Sequence, residues 1–374
     1  MKKTACLLFL FAFVLALPAL GAEIKKVNEM KIGDKAPDFK LPGADGRDYA
    51  LKDFKDAAIL VVIFTCNHCP TAQAYEERII KIVADYKDKA VAFVAISPND
   101  PKALRLDELG YTDLSDTLPE MKIRAEQRQF NFPYLFDGEK QDVSRAYGPT
   151  ATPHVFIFDK ERKLRYSGGV DNSEKVEKAD APYVRNALDA LLAGKPVPEE
   201  TTRRMGCSIK WSEKRDDVKK ALERWAAEEV SIDSISTPQI LELMKNDSPK
   251  LRLVNFWATW CPPCVVEFPD LVETNRMYRH RDFEMISISL NDIEDKEKSL
   301  SFLKKKEASS KNYILVDGED PDKLIEGVGN GWEGSIPFTL LIRPGGEVVF
   351  KHLGAVDPVE LRTAIVEILG RIYK

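Results

Sequence analysis

Two apolar runs, Ala57 to Thr65 (AAILVVIFT) and Leu251 to Thr259 (LRLVNFWAT), stand out from an otherwise mixed chain. Each has the length and continuity of a strand buried on both faces. A helix is expected after each. Ile79, Ile80, Ile82 and Val83 mark one broad apolar face within residues 71–86. The second helix opens near Pro262 and runs to about Arg279. Val91 to Ser97 (VAFVAIS) and Met285 to Leu290 (MISISL) predict further buried strands. Helices over 114–130 and 296–306 lead to short strands at 134–136 and 313–316. The first part adds a short helix at 142–147. Pro153 and Pro337 then each open an apolar strand, ending at Phe158 and Ile342, with antiparallel returns at 163–167 and 347–351. A proline donates nothing to a ladder and belongs at a strand start. Closing helices are expected over 182–192 and 358–373. Only the first part has a lead-in hairpin, within 33–56, turning at Asp45-Gly46.

The repeated order predicts an α/β fold of two domains, each a central mixed β-sheet flanked by helices. The first domain covers 23–195 and the second 236–374. Residues 196–235 read as a connector. Its start (KPVPEETTRRMG) has the prolines and charges of a linker. A helix over 216–230 then places Val218, Leu222, Trp225 and Glu229 on one docking face.

Composition agrees with this. A chain of 374 residues suffices for two ordinary domains, and 44% hydrophobic with 31% charged residues is the balance of a globular protein. The net charge of −5 argues against nucleic-acid and anionic-membrane partners. Residues 1–22 read as a secretory signal. Lys2-Lys3 is the charged start, Leu7 to Leu17 the apolar core, and Gly21 or Ala22 the cleavage point. The expected location is therefore the periplasm or another extracytoplasmic space. No other run reaches the roughly 18 apolar residues of a membrane span, so none is expected after cleavage.

Cysteine spacing supplies the chemistry. Beyond Cys6 in the leader, four of the remaining five fall into two C-x-x-C pairs, Cys66/Cys69 and Cys261/Cys264. Each pair lies between a buried strand and a helix start, where the helix dipole and free N–H groups stabilise a thiolate. Cys261 and Cys66 are the expected nucleophiles, with Cys264 and Cys69 resolving. A structural zinc site wants four ligands, and His280 and His352 show no ligand spacing to Cys261. Glu267, one turn past Cys264, is placed to exchange protons with it; a solvated surface glutamate is the alternative. In the first pair His68 lies between the cysteines, and His154 follows Pro153. Both are candidates for tuning the Cys66 thiol. The alternative is a copper or zinc site of Cys66, Cys69 and His154. Cys207 has three readings: a thiol packed near Trp211, a resolving cysteine for Cys66 or Cys69, or a link to another chain.

Two resemblances sharpen the picture. Trp260-Cys261-Pro262-Pro263-Cys264, Glu267, Pro269 and Leu271 are similar to the W-C-x-x-C-x-x-E-x-P-x-L signature of TlpA-like thiol–disulfide oxidoreductases, over about 236–374. These are exported thioredoxin-fold proteins, mostly reductants. The resemblance implies a cis Pro337 facing the cysteines, Ile336 pairing its backbone with substrate, and a membrane electron donor. The first half resembles the peroxiredoxin-like redoxins of the AhpC/TSA group over about 31–212. The carrying stretches are GDKAPDF at 33–39, FTCNHCP at 64–70, NFPYL at 131–135, TPH at 152–154 and GCSIKW at 206–211. Peroxide-reducing relatives use P-x-x-x-T/S-x-x-C. Here the matching places hold Ile63 and Ile59 before Cys66, or Cys66 and Val62 before Cys69, which speaks against peroxidase activity.

The reading is an exported thiol–disulfide oxidoreductase with two redox sites. It exchanges disulfides with client proteins or between its own halves and needs no organic cofactor. Thr152-Pro153, Ile336-Pro337 and Trp260 form the substrate grooves. Both prolines are expected cis, and the Cys66–Cys69 pair is expected to be the more oxidising.

Overall fold

The computed structural model describes residues 27–373; the expected leader over 1–22 lies outside them. Each apolar run becomes the central strand of a mixed sheet. The first half runs β1 (Lys40–Pro42), β2 (Asp48–Ala50), β3 (Ile59–Phe64), α1 (Pro70–Tyr86), β4 (Val91–Ser97), α2 (Leu118–Gln127), β5 (Tyr134–Phe136), α3 (Asp142–Tyr147), β6 (His154–Phe158), β7 (Leu164–Gly168) and α4 (Tyr183–Leu192). Apart from the β1–β2 hairpin, its strands lie in the order β5-β4-β3-β6-β7. Strands β3, β4 and β5 are parallel, and β6 and β7 antiparallel.

After α5 (Arg215–Ala226) the second half runs β8 (Asp233–Ile235), α6 (Thr237–Lys245), β9 (Leu251–Trp257), α7 (Pro262–Tyr278), β10 (Phe283–Ser289), α8 (Lys296–Lys305), β11 (Lys311–Leu315), α9 (Pro321–Val328), β12 (Phe338–Ile342), β13 (Val348–Leu353) and α10 (Pro358–Leu369). Its order, β13-β12-β9-β10-β11-β8, repeats the first sheet and adds β8 at the edge. The chain is thus the expected α/β protein with two mixed sheets flanked by helices.

Alternation explains why β3 sits in the middle. All six of its residues are buried. Ile59, Val61 and Ile63 face α1 and α4, meeting Tyr75, Ile79, Val83 and Leu188. Leu60, Val62 and Phe64 face the other way, onto Tyr147, Phe156 and Phe158. Each such side chain contributes about 1.5–3 kcal/mol on burial, so both layers are fixed by one strand. Strand β9 does the same, with Leu251 and Leu253 on one side and Val254 and Phe256 on the other.

Several expectations change. Strand β8 and helix α9 were not anticipated. The first is three residues long with two exposed, too short for any periodicity. Helix α5 docks by Ala221 and Trp225, while Leu222 and Glu229 are exposed. The start of the connector is no free linker. Thr201 bridges Ser167, Cys207 bridges Thr152, and the Lys210 N–H donates to Asn99 Oδ1 (2.8 Å). Residues 199–211 are a strap built onto the first sheet.

The two halves share one apolar cluster. Leu104 and Leu109 of the first pack with Leu251, Leu271, Met277, Tyr278, Leu361 and Ile365 of the second. Tyr278 Oη donates to the Thr112 carbonyl (2.6 Å). Beside it, fully buried Asp113 accepts from Arg124 (2.9 Å), from Thr363 (2.9 Å) and from both terminal nitrogens of Arg371 (2.7 and 2.8 Å). Burial alone would raise its carboxyl, but Arg371 and Arg124 hold it well below the usual carboxylate range. Past Arg371, the Tyr373 ring meets Tyr111 edge-on.

Removing one member of a buried ion pair costs about 3–5 kcal/mol, because the partner stays buried without its counter-charge. Asp113→Ala takes from Arg124, which has no exposure, its 2.9 Å carboxylate partner and leaves only the more distant Glu76 at 3.8 Å. Its urea midpoint should fall by a corresponding amount. An unchanged midpoint would refute the role given to Asp113.

Candidate functional site

In the second half, β9 delivers the chain to α7, and Cys261 becomes the helix N-cap. Pro262 fills the first helical position, where a missing N–H costs nothing. The Cys264 N–H points at Cys261 Sγ (3.3 Å), and the two cysteines are joined as a disulfide. Cys264 is fully buried and Cys261 nearly so. Trp260 beside them is 61% exposed, a large apolar surface at the lip of the site. The Ile336 carbonyl lies 3.7 Å from Cys261 Sγ, and the Ile336–Pro337 bond is cis.

Glu267 is not a solvated glutamate. Its residue is 3% exposed. Asn255 Nδ2 donates to one carboxylate oxygen (3.0 Å) and the Val356 N–H to the other (2.9 Å). Burial outweighs both bonds and pushes its pKa up to about 7. A carboxyl that titrates near neutrality one turn below Cys264 is suited to passing a proton.

The first half overturns one assignment. Strand register pairs Phe64 with His154 and Phe256 with Phe338, each partner directly following its proline. Counting five residues on from Phe64 and Phe256 reaches Cys69 and Cys261. Cys69, not Cys66, is therefore the counterpart of Cys261. It is the N-cap of α1, with Pro70 at the first helical position. The contacts match. Ala72 N–H donates to Cys69 Sγ (3.4 Å), as Cys264 does to Cys261. Cys69 Sγ lies 3.3 Å from the Thr152 carbonyl, the counterpart of Ile336, and the Thr152–Pro153 bond is cis. Cys66 sits in the loop before the helix, 3.2 Å from Thr152 Oγ1. The place of Cys264 is held by Ala72.

A buried carboxylate organises this loop. Asp116 accepts from the backbone N–H of Asn67 (2.8 Å) and of His68 (3.1 Å). It pairs with His68 Nδ1 (2.6 Å) and accepts from Asn99 Nδ2 (2.7 Å). Burial would lower the imidazole, but Asp116 dominates and raises it. Burial raises the Cys66 thiol strongly, with Cys69 and Asp116 adding to it. Burial acts on Cys69 too. There, hydrogen bonds from Cys207 and Cys66, the charge of His68 and the Ala72 N–H win, holding it well below the usual thiol range. Position and electrostatics both favour Cys69 over Cys66 as the ionised thiol.

His154, expected beside the dithiol, turns elsewhere. Its Nε2 meets Ser167 Oγ (3.0 Å), with Glu29 beyond, and Nδ1 accepts the Thr150 N–H (3.3 Å). Burial drives its pKa far down. The set Cys66, Cys69 and His154 is thus not assembled as a metal site. Among the described residues the side chains within metal-bridging distance are Cys66, His68 and Asp116. His68 Nδ1 is committed to Asp116, while its Nε2 is buried without a hydrogen-bond partner. Cys207 packs against Cys66, Cys69 and Ala72. Its N–H donates to Cys69 Sγ (3.3 Å). Asp116 escaped the sequence reading because it lies 48 residues from His68.

Residues 32–167 match the AhpC/TSA family and residues 233–365 the Redoxin family. The thiol-disulfide oxidoreductase ResA of Geobacillus kaustophilus is 32% identical over 173 residues, 44% of this chain and 88% of that protein. A peroxiredoxin-like protein of Mycobacterium tuberculosis is 33% identical over 145 residues, 37% of this chain and 85% of that protein. A conserved protein of Geobacillus kaustophilus with a solved structure is 39% identical, covers 49% of this chain and 94% of its own, and gives a TM-score of 0.44. Among the described residues no helix is long and apolar enough to cross a membrane.

Glu267 gives a pH test. Its folded pKa of about 7 lies above the unfolded value, so proton binding favours the folded form. That contribution is complete below about pH 4.3 and is lost as pH rises to 7, by roughly 3 kcal/mol. Glu267→Gln has no such titration. Urea unfolding across this range should show the parent losing stability relative to the variant; parallel curves would refute the burial argument.

Proposed function

The chain belongs to the AhpC/TSA and Redoxin families, one in each half, and on that premise we propose an exported thiol–disulfide oxidoreductase with two thiol sites that act on client proteins. The observation that carries this is the second site. A disulfide caps a helix N-terminus under an exposed tryptophan, with a carboxyl titrating near pH 7 one turn below. Cys261 is the attacking thiol and Cys264 the resolving one. Glu267 receives the Cys264 proton as that sulfur attacks. The Ile336 carbonyl and Trp260 line the groove that receives the client backbone. The cysteines themselves carry the electrons, so no organic cofactor is required. Export of the chain after loss of residues 1–22, and recharging by a membrane thiol donor, complete the proposal.

In the first half Cys69 takes the attacking role. Cys66 and Val62 stand where peroxide-reducing relatives place a hydroxyl and a proline, which argues for disulfide rather than peroxide as the oxidant. The His68–Asp116 pair and the N–H donors on Cys69 favour its thiolate. Among its described contacts Cys261 has a single such donor, the Cys264 N–H. A stabilised thiolate stabilises the reduced form, so the first site is the more oxidising and electrons run from the second half towards it.

Two measurements test the reading. The reduced protein should reduce a disulfide peptide. Cys261→Ser should abolish turnover at the second site, and Cys264→Ser should trap the client as a mixed disulfide. Turnover undiminished in Cys261→Ser would refute the assignment. His68→Ala should make the first site more reducing by roughly 30–60 mV, the equivalent of one charge-assisted contact. Equilibration of the full chain against glutathione buffers, with each cysteine followed by alkylation, reads that shift; an unmoved potential contradicts it.

A further inference from the structure

The first site lacks a sulfur where the second keeps its resolving cysteine. One turn into α1, at the place of Cys264, stands Ala72, fully buried. Two other thiols flank Cys69. Cys66 lies in the preceding loop, sealed from solvent against Thr152. Cys207 comes from the strap, more than a hundred residues away in sequence, and is the one of the three that solvent reaches.

The strap is built to hold Cys207 there. Thr152 N–H donates to the Cys207 carbonyl (3.0 Å), closing an antiparallel bridge at the strand-opening proline. The Cys207 N–H donates to Cys69 Sγ (3.3 Å). Gly206 makes the approach feasible. A Cβ there would lie 2.0 Å from the Thr152 carbonyl oxygen, so any other residue would lift the strap off the site. The strap is anchored on both sides, by the Ser167–Thr201 bridge and by Lys210 to Asn99. Asn99 in turn donates to Asp116, the residue that holds the Cys69 loop. One polar network therefore sets both cysteines.

We propose that Cys207 is the resolving thiol of the first half. The proposal rests on the reading of that half as a disulfide exchanger. The Cys69 thiolate attacks a client disulfide, forming a Cys69–client bond and releasing the first client sulfur as a thiolate. Cys207 Sγ then attacks Cys69 Sγ. The Cys69–client bond breaks, the Cys207 proton passes to the departing client thiolate, and a Cys69–Cys207 disulfide closes. The client gains two electrons and one proton from the site, and its first thiolate takes a second proton from solvent, which had received the one released when the Cys69 thiolate formed. Cys66 stays reduced. The first half is thus a redox site closed through a strap across the sheet, not a C-x-x-C loop.

Trypsin places Cys66 and Cys69 together in the peptide 56–78 and Cys207 in the peptide 205–210. The full chain carrying Cys261→Ser and Cys264→Ser is oxidised with a small disulfide peptide, quenched with an alkylating agent, digested and weighed. The expected product is 205–210 linked to 56–78. The link should persist in Cys66→Ser and be lost in Cys69→Ser. In Cys207→Ser the disulfide peptide should stay trapped on Cys69, whereas Cys66→Ser should release it. An alkylated Cys207 together with a bridge inside 56–78 would overturn the assignment while leaving disulfide exchange standing. Peptide uptake unaffected by Cys69→Ser would instead defeat the exchange reading itself, and the assignment with it.

Discussion

The first thiol site depends on one carboxylate with no access to water. Asp116 satisfies two consecutive backbone N–H groups, an imidazole and a side-chain amide. Without it, the turn between β3 and α1 would bury donors with nothing to receive them, at a cost of about 1–3 kcal/mol each. The turn fixes where α1 begins, and so which cysteine caps it. Three residues earlier, Asp113 makes the matching commitment to the second half through Arg371 and Thr363. A single short segment therefore ties the geometry of one thiol site to the docking of the other domain.

The two sites share a frame and differ in chemistry. Each has a buried strand, a cysteine N-cap, a proline at the first helical position and a carbonyl ahead of a strand-opening proline. Below the second lies Glu267, held by Asn255 and Val356. At the matching place in the first lies Tyr75, whose hydroxyl donates to Asp171 (2.9 Å). A group that exchanges protons near neutrality is replaced by one that burial and Asp171 hold fully protonated. The first site compensates with charge, through His68 and Asp116. The same fold thus sets one thiol pair above a buried carboxyl that titrates near neutrality and the other thiol among fixed charges.

Most of the frame was legible because burial leaves its mark on sequence. Continuous apolar runs gave β3 and β9, and two prolines located β6 and β12. Cys66 was read as the cysteine at the helix start because C-x-x-C spacing is blind to where the helix begins. The corrective signal was present: Pro70 follows Cys69 as Pro262 follows Cys261, and proline favours the first helical position. His154 was misplaced because a residue after a strand-opening proline projects by strand alternation, away from its predecessor's face. Asp116, Asp113 and the strap were beyond reach for another reason. Their partners lie far off in sequence, and no local pattern encodes a contact of that span.

Residues 371–373 follow the closing helix of the second domain, yet they border the first domain's site. Arg371 reaches Asp113 and Gln73, and Tyr373 lies against Tyr111 and beside the Cys207 thiol. A fusion tag attached after Lys374, one residue beyond Tyr373, would crowd Cys207, and trimming the chain from Arg371 onward would uncover it. Purification design and redox measurement are thereby linked, since a label meant to be inert at that end would sit within the chemistry being measured.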